Sequence, residues 1–238
     1  MIERARVVAV VPARGGSKGI PRKNVADLAG KPLLFYTLEA AQGARSVSET
    51  VVSSDDEDIL ALARRQGATA LARPAALASD HSACEPVVTD ALAQLGRLGR
   101  HYQVLVLLQP TSPLRDAGDV EAALKRFFDS DATSLISVYE PPHSPCKAFR
   151  LDQRGMLRGL VDDGAPFRNR QELPTCFYPN GAIFVTGVDR FLTTGTLFSE
   201  RTVPFVMPRD KSIDIDDAED LAAAAAFLER AARARGTG

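Results

Sequence analysis

Val7-Val8-Ala9-Val10-Val11-Pro12-Ala13-Arg14-Gly15-Gly16-Ser17-Lys18-Gly19-Ile20-Pro21-Arg22-Lys23-Asn24 changes character in its middle. Its first five residues are apolar and mostly β-branched, as in a strand covered on both faces. Pro12 ends that run. The turn beyond it is rich in glycine and carries Arg14, Lys18, Arg22 and Lys23. Free backbone N–H groups backed by positive charge suit a polyanion such as a nucleoside triphosphate. An ordinary strand-to-helix connection with solvated charges has the same composition, so the loop alone does not decide. The order GxxxxGK[ST] is absent, which disfavours a P-loop ATPase; GxGxxG is absent too, which disfavours a dinucleotide site.

Outward from this stretch, strand and helix patterns alternate. Pro32 suits a helix start, and Leu33, Leu34, Tyr36, Thr37 and Leu38 recur at helical spacing. Residues 49–54 read as a second strand, after which Asp55 or Asp56 can cap a helix ended by Gly67. Residues 68–71 read as a third strand and 84–98 as an amphipathic helix. Val104-Leu105-Val106-Leu107-Leu108 is apolar at every position, as in a central parallel strand. A helix is expected over 119–128, then strands over 133–138, 180–185 and 203–207, and a closing helix after Asp217. Such alternation predicts a doubly wound, mostly parallel α/β sheet. Its ligands bind beyond the carboxyl ends of the strands, where the polar tips after Val11 and Leu108 fall.

No linker divides the chain, so residues 1–238 are expected to form a single domain. Between about 140 and 179, prolines at 141, 142, 145, 166, 174 and 179 break any long helix. This segment reads as an insertion of irregular structure and hairpins that covers the site or reaches a neighbouring subunit. Left disordered, it would leave Phe149, Leu151, Leu157, Leu160 and Phe167 without a core.

Composition narrows the function. The 238 residues are 45% apolar and 25% charged with a net charge of −1. Bulk attraction to nucleic acid or membrane is not indicated, so the cationic loop is a local feature. The start, Met1 to Arg6, lacks the apolar stretch of a signal peptide, and no segment is long and apolar enough to span a membrane. Cys84, Cys146 and Cys176 are odd in number and widely spaced, which argues for reduced cytoplasmic thiols over zinc or disulfides. His81, His101 and His143 are far apart, so neither a histidine metal site nor a Ser-His-Asp triad is indicated. The tail 236–238 is expected to fray.

Asp214 and Asp216 alternate with Ile213 and Ile215. In an extended chain both carboxylates share one face, where they repel unless a cation lies between them. Magnesium, which takes few protein oxygens and completes its shell with water and phosphate, would suit them. The alternative is a helix N-terminus capped by Asp216 or Asp217. A phosphate-type loop elsewhere in the chain favours the metal.

Six blocks, in order along the chain, resemble the CMP-sialic acid synthetases (acylneuraminate cytidylyltransferases). They are PARGGSKGIPRKN at 12–24, RPAALASD at 73–80, LLQPTSPLR at 107–115, RQELP at 170–174, PNGAIF at 179–184 and SIDID at 212–216. The resemblance implies a Rossmann-like nucleotidylyltransferase fold whose inserted segment packs against a partner in a homodimer. It implies CTP and a nine-carbon 2-keto acid sugar, a nonulosonic acid, as substrates and a CMP-sugar and pyrophosphate as products, with Mg2+ required.

Carried onto these positions, it assigns the nucleotide to Ala13, Arg14, Gly15, Ser17, Lys18, Lys23, Asn24 and Arg73. Arg14 and Lys23 would neutralise the triphosphate as pyrophosphate leaves. Asp214 and Asp216 would hold the metal. Gln109, Lys147, Arg170, Asn180 and Phe184 would face the sugar, the two cations its carboxylate, with Phe184 and Phe198 against an acyl group. Direct in-line attack on the α-phosphorus needs no protein nucleophile. Asp216 and a hydroxide held by the metal both remain candidates for the proton acceptor. GSKGIPRKN and RQELP favour nine-carbon sugars over an eight-carbon, CMP-Kdo-type branch, and GSKGIPRKN leans away from pseudaminate. A nucleotide-binding module without turnover is the other alternative.

Overall fold

The computed structural model describes residues 5–79 and 83–236. His81, the last residue of the block at 73–80, the first four residues and the last two lie outside them. Among the described residues, eleven strands alternate with six α-helices. The first half runs β1 (Val7–Pro12), β2 (Asp27–Leu28), β3 (Lys31–Pro32), α1 (Leu33–Gly43), β4 (Glu49–Ser54), α2 (Glu57–Arg65), β5 (Thr69–Ala72), α3 (Cys84–Arg97) and β6 (Val104–Leu107). The second runs α4 (Ala117–Phe128), β7 (Ser134–Tyr139), β8 (Phe149–Leu151), β9 (Leu157–Gly159), β10 (Tyr178–Gly187), α5 (Val188–Thr194), β11 (Thr202–Val206) and α6 (Ala218–Gly236).

Seven strands form the central sheet in the order β11-β7-β10-β6-β1-β4-β5. Within it β10 alone is antiparallel to its neighbours, placing Phe184 beside Leu107 on one side and Ile136 on the other. The remaining pairs are parallel, with Val10 opposite both Val51 and Leu107. The mostly parallel sheet expected from the alternation is present.

Period-two alternation sends successive β1 side chains to opposite layers. Val7, Ala9 and Val11 pack with Leu34, Leu38, Ile59, Val120 and Leu124 under α1, α2 and α4. Val8 and Val10 pack with Val88, Leu92, Leu95 and Phe191 under α3 and α5. That two-sided burial is why the run is apolar at every position. A third cluster joins Leu28, Leu33, Leu114, Ile215 and Ala224, docking α6 and the chain before it on the rim of the sheet.

The helix starts follow their capping residues. Asp56, rather than Asp55, caps α2 by accepting from the N–H groups of Asp58 and Ile59. Asp116 and Asp119 form a reciprocal capping box that starts α4 two residues before the expected 119. Asp217 accepts from the N–H groups of Glu219 and Asp220 at the head of α6. Pro32 closes the β2–β3 pair just ahead of α1 instead of occupying its first helical position.

Because β7 and β10 are antiparallel neighbours, everything between them is one long hairpin connection. It leaves from the carboxyl end of β7, the same edge of the sheet on which β1, β4 and β6 end. Within it β8 and β9 pair as a small ribbon, and single helical turns form at 145–147, 165–167 and 170–172. Its large apolar side chains point outward. Phe167 is 81% exposed and Leu151 67%, with Phe149 edge-on to Phe167.

Candidate active site

A cavity of about 300 Å³ opens beyond the carboxyl ends of β1 and β6. Among the sequence candidates, Arg14, Ser17, Lys23, Asn24, Arg73, Gln109, Asp214 and Asp216 line it. Residues almost two hundred positions apart therefore share one wall.

Two contacts bring the opening loop and the far carboxylates together. Lys23 donates from Nζ to the Ile215 carbonyl oxygen at 2.5 Å and to Asp216 Oδ1 at 3.2 Å, with its own side chain largely buried. Gly19 lies directly on the backbone there: a Cβ added to it would sit 2.0 Å from the Asp216 carbonyl oxygen. No side chain larger than hydrogen fits without displacing that segment.

The second wall is held by 109–115. Ile215 donates its N–H to the Thr111 carbonyl at 2.7 Å, while its side chain is fully buried. Residues 213–216 form no strand, yet the alternation holds: Ile215 points into the rim cluster and Asp214 and Asp216 face outward. Gln109 donates to Cys84 Sγ at 3.5 Å, and its carboxamide oxygen rests on Gly181, where a Cβ would be 2.4 Å away. Gly181 also has φ 71°, a backbone conformation that favours glycine.

The nucleotide candidates divide. Asn24 donates to the Arg14 carbonyl at 2.8 Å, bracing the loop from within. Arg73 is buried, donating from Nε to Ser53 Oγ and from a terminal nitrogen to the Ser53 carbonyl. Burial, ahead of any charge effect, lowers its pKa, and the carboxylate of Asp55 partly offsets this. Gly15 gives its N–H to Asp55 Oδ1 at 3.0 Å, so this N–H is already engaged by a side chain. Ala13 is buried in the sheet core, its N–H given to the Ser53 carbonyl. Neither of these two, nor Lys18, lines the cavity. Arg22 also differs from its reading as loop charge for a ligand: it pairs with Asp56 and Asp58 at the head of α2.

The sugar-side candidates are dispersed. Asn180 is almost fully buried with its amide satisfied by protein: Oδ1 accepts from Ser137 Oγ and the Ala182 N–H, and Nδ2 donates to Ser212 Oγ. It braces the segment leading to Asp214. Asn180 also borders a second cavity of about 530 Å³, with Tyr139, Tyr178 and Ser212, and Asp214 lines both cavities. Phe184 sits inside the sheet against the core beneath α3, and Phe198 is 62% exposed. Lys147 is exposed in the insertion, and Arg170 there pairs with Glu140 at 2.6 Å. None of these five side chains lines the first cavity.

Asp214 carries the electrostatic mark of the site. Its surface faces open space, but protein atoms crowd its carboxyl. Desolvation therefore raises its pKa above the ordinary value, with Asp216 and Asp220 pushing the same way and Thr111 and Lys23 opposing. A carboxylate held at such a cost beside a second one is a good partner for a cation. Among the described residues no group of three or more His, Cys, Asp or Glu could enclose a metal, so a cation held here would draw its other ligands from water or a bound anion.

Arg115 received no role from its sequence. It is 2% exposed, donates to the Ser112 carbonyl and to Thr37 Oγ1, and leaves Nε without a partner. Burial pushes its pKa down to about 9. Ser112 in turn donates to the Asn180 carbonyl at 2.8 Å, so Arg115 anchors the loop whose Thr111 holds Ile215. Only the oddity of a cation among apolar and small residues could have signalled it.

Comparison with known proteins matches this picture. A family model described as "Cytidylyltransferase" matches residues 8–158. The chain is 32% identical to an N-acylneuraminate cytidylyltransferase of Streptococcus agalactiae over 90% of its own length and 51% of the relative's. It therefore spans about half the length of the curated relatives of that name. It is equally similar, at 32%, to a pseudaminic acid cytidylyltransferase of Campylobacter jejuni, covering 89% of this chain and 91% of that one. A solved structure titled as CMP:2-keto-3-deoxy-manno-octonic acid synthetase complexed with CTP superposes with a TM-score of 0.68. It is 18% identical, with 95% of this chain and 99% of that one covered.

Proposed function

This chain belongs to the cytidylyltransferase family, and from that premise we propose that it transfers the cytidylyl group of CTP to the anomeric hydroxyl of a nonulosonic acid. The products are a CMP-sugar and pyrophosphate. The observation that carries the reading is the joining of the cationic loop to the Asp214–Asp216 pair through Lys23 and Gly19. A site that only bound nucleotide would not need two carboxylates brought beside the phosphate cations.

In this reading the triphosphate lies along Arg14, Ser17 and Lys23, with Arg73 toward the ribose or base. The sugar hydroxyl oxygen attacks the α-phosphorus, the bond from α-phosphorus to the bridging oxygen breaks, and its electron pair leaves with pyrophosphate. Arg14 and Lys23 face the charge that develops on the leaving oxygens, where fixed cations lower the barrier most. In this proposal Asp216, or a hydroxide held by the metal, would take the hydroxyl proton. Asp214 and Asp216 would hold a divalent cation, Mg2+ in this proposal, which when bound neutralises phosphate charge. The sugar would occupy the second cavity, which meets the first at Asp214 and ends near Tyr139 and Tyr178.

The proposal extends to a cytoplasmic homodimer. Its support is the outward apolar face of the insertion, with Phe149, Leu151, Leu157 and Phe167 all exposed. Exposed apolar area of this kind marks an association surface. Among nine-carbon sugars the choice stays open. The lean away from pseudaminate drawn from the loop gains no support from identity, which is 32% to relatives named for either sugar.

Incubation with CTP, Mg2+ and N-acetylneuraminate, legionaminate or pseudaminate in turn tests the reading. Stoichiometric CMP-sugar and pyrophosphate are expected with one of them. Intact CTP binding without product from any keto-acid sugar would replace the enzyme by a binding module. Product from an eight-carbon sugar alone would move the chain to the other branch.

A further inference from the structure

The three cysteines read as separate thiols in sequence, but the fold brings two of them into contact. Cys146 Sγ and Cys176 Sγ lie 3.4 Å apart. Cys146 is buried in the turn that follows β7, with its N–H given to Ser144 Oγ, and Cys176 lies just before β10 with its thiol on the Pro174 carbonyl. Both stand at the root of the insertion. That root is already closed one layer inward, where Tyr139 and Tyr178 pair across the strands with their rings edge to face.

We propose that Cys146 and Cys176 form a reversible dithiol–disulfide site, open to a small-molecule disulfide, that staples the two ends of the insertion together. Cys176 is partly exposed and Cys146 is 3% exposed, which sets the order of events. The Cys176 thiol loses its proton to solvent and attacks one sulfur of the small-molecule disulfide, expelling the first small thiol and leaving a mixed disulfide. The Cys146 thiol, also deprotonated, then attacks the Cys176 sulfur and expels the second. Two cysteines are oxidised, one disulfide is reduced to two thiols, and no other oxidant is needed.

Closure requires the sulfurs to move from contact to bonding distance, about 2 Å, a shift that the turn at 145–147 and the irregular chain at 174–176 can absorb. Cys146 itself, and then burial, hold the Cys176 thiol above its ordinary range, so the exchange is slow and governed by equilibrium with the surrounding thiol pool. Reversible pairs of this kind are the form disulfides take in reducing compartments. Lys147 and Arg170 lie within the stapled loop, and Arg170, Glu140 and Cys176 line one small cavity. The staple stands whether or not the chain turns over CTP.

The test uses the whole protein equilibrated with oxidised and reduced glutathione across a range of ratios, quenched by acid and read by intact mass and peptide mapping. Loss of two hydrogens per chain, a peptide joining 146 to 176, and reversal by excess reduced glutathione are expected. Cys146→Ser should accumulate one glutathione adduct at Cys176. Cys176→Ser should leave Cys146 as a thiol. The oxidised parent should melt a few degrees higher than the reduced one. A stable adduct on Cys176 of the parent, a link to Cys84, or unreacted thiols at the most oxidising ratio would each overturn the proposal. An unchanged melting temperature in the linked form would overturn the staple.

Discussion

The cavity between the opening loop and residues 214–216 is closed by contacts within the chain, whereas the insertion turns its large apolar side chains outward. In the first region the geometry is set by contacts made within the chain: Asn24 meets the Arg14 carbonyl, Lys23 the Ile215 carbonyl, and Ile215 the Thr111 carbonyl. In the second, Phe167 and Leu151 face outward and the Arg170–Glu140 pair is exposed on both sides. A phosphate-binding wall must be preorganised, because misplacement of about 1 Å can cost a hundredfold in rate. A surface meant for a partner or a second substrate gains its order on contact. Under the proposed function, the difference separates a nucleotide half, complete alone, from a sugar half that is not.

The strongest way to break that separation is at its junction. Asp216→Ala should lower turnover about a thousandfold with the melting temperature nearly unchanged, since an exposed carboxylate supports little of the fold. Pyrophosphate release beside a thermal melt checks both halves, and near-normal turnover at saturating Mg2+ would remove Asp216 from the reaction. Gly19→Ala should follow, at about a hundredfold in turnover, because its Cβ must push the Asp216 backbone away. If Gly19→Ala behaves like the parent, the contact between loop and carboxylates is not needed in that form.

Arg170→Ala probes the other half. An exposed ion pair contributes little to stability, so the fold should hold. The KM for the sugar should rise about tenfold, the loss of one charge-assisted hydrogen bond, with the KM for CTP unchanged. Collapse of CTP affinity alone would place Arg170 on the wrong side.

Asp214 gives a small effect, read in stability, with a diagnostic pH dependence. Its pKa is raised in the folded state, so folding favours its protonated form, and the fold loses that advantage as pH rises through the raised value. Asp214→Asn should therefore raise the melting temperature at neutral pH, and the gain should vanish in acid where the parent carboxyl is protonated. Denaturation across pH checks this. An equal gain at all pH values would point to packing instead of charge.

The sequence made the sheet legible because burial on two faces leaves an apolar residue at every position, as in Val7–Val11 and Val104–Leu108. Helix starts were legible where a cap is local, as at Asp56 and Asp217. The roles of Asn180 and Gly15 were not, since which partner satisfies an amide is decided by strands distant in sequence. Asn180 braces Ser212 and Gly15 is held by Asp55, contacts that no spacing predicts. Arg115 and the Cys146–Cys176 contact escaped for the same reason. Lys147 and Arg170 could be marked as cations of the insertion, but their distance from the first cavity follows from the hairpin path between β7 and β10.

One measurement bears on the separation most directly. Phe167→Asp combined with Leu151→Asp places charge on the outward face of the insertion and leaves the cavity residues untouched. CTP affinity by calorimetry and sugar-dependent pyrophosphate release should be followed together, with the mass in solution from sedimentation. A monomer that binds CTP as the parent does but releases pyrophosphate at a small fraction of its rate is the predicted result. Loss of CTP affinity in step with dissociation, or a monomer that turns over at the parent rate, would contradict a nucleotide half complete in one chain beside a sugar half that is not.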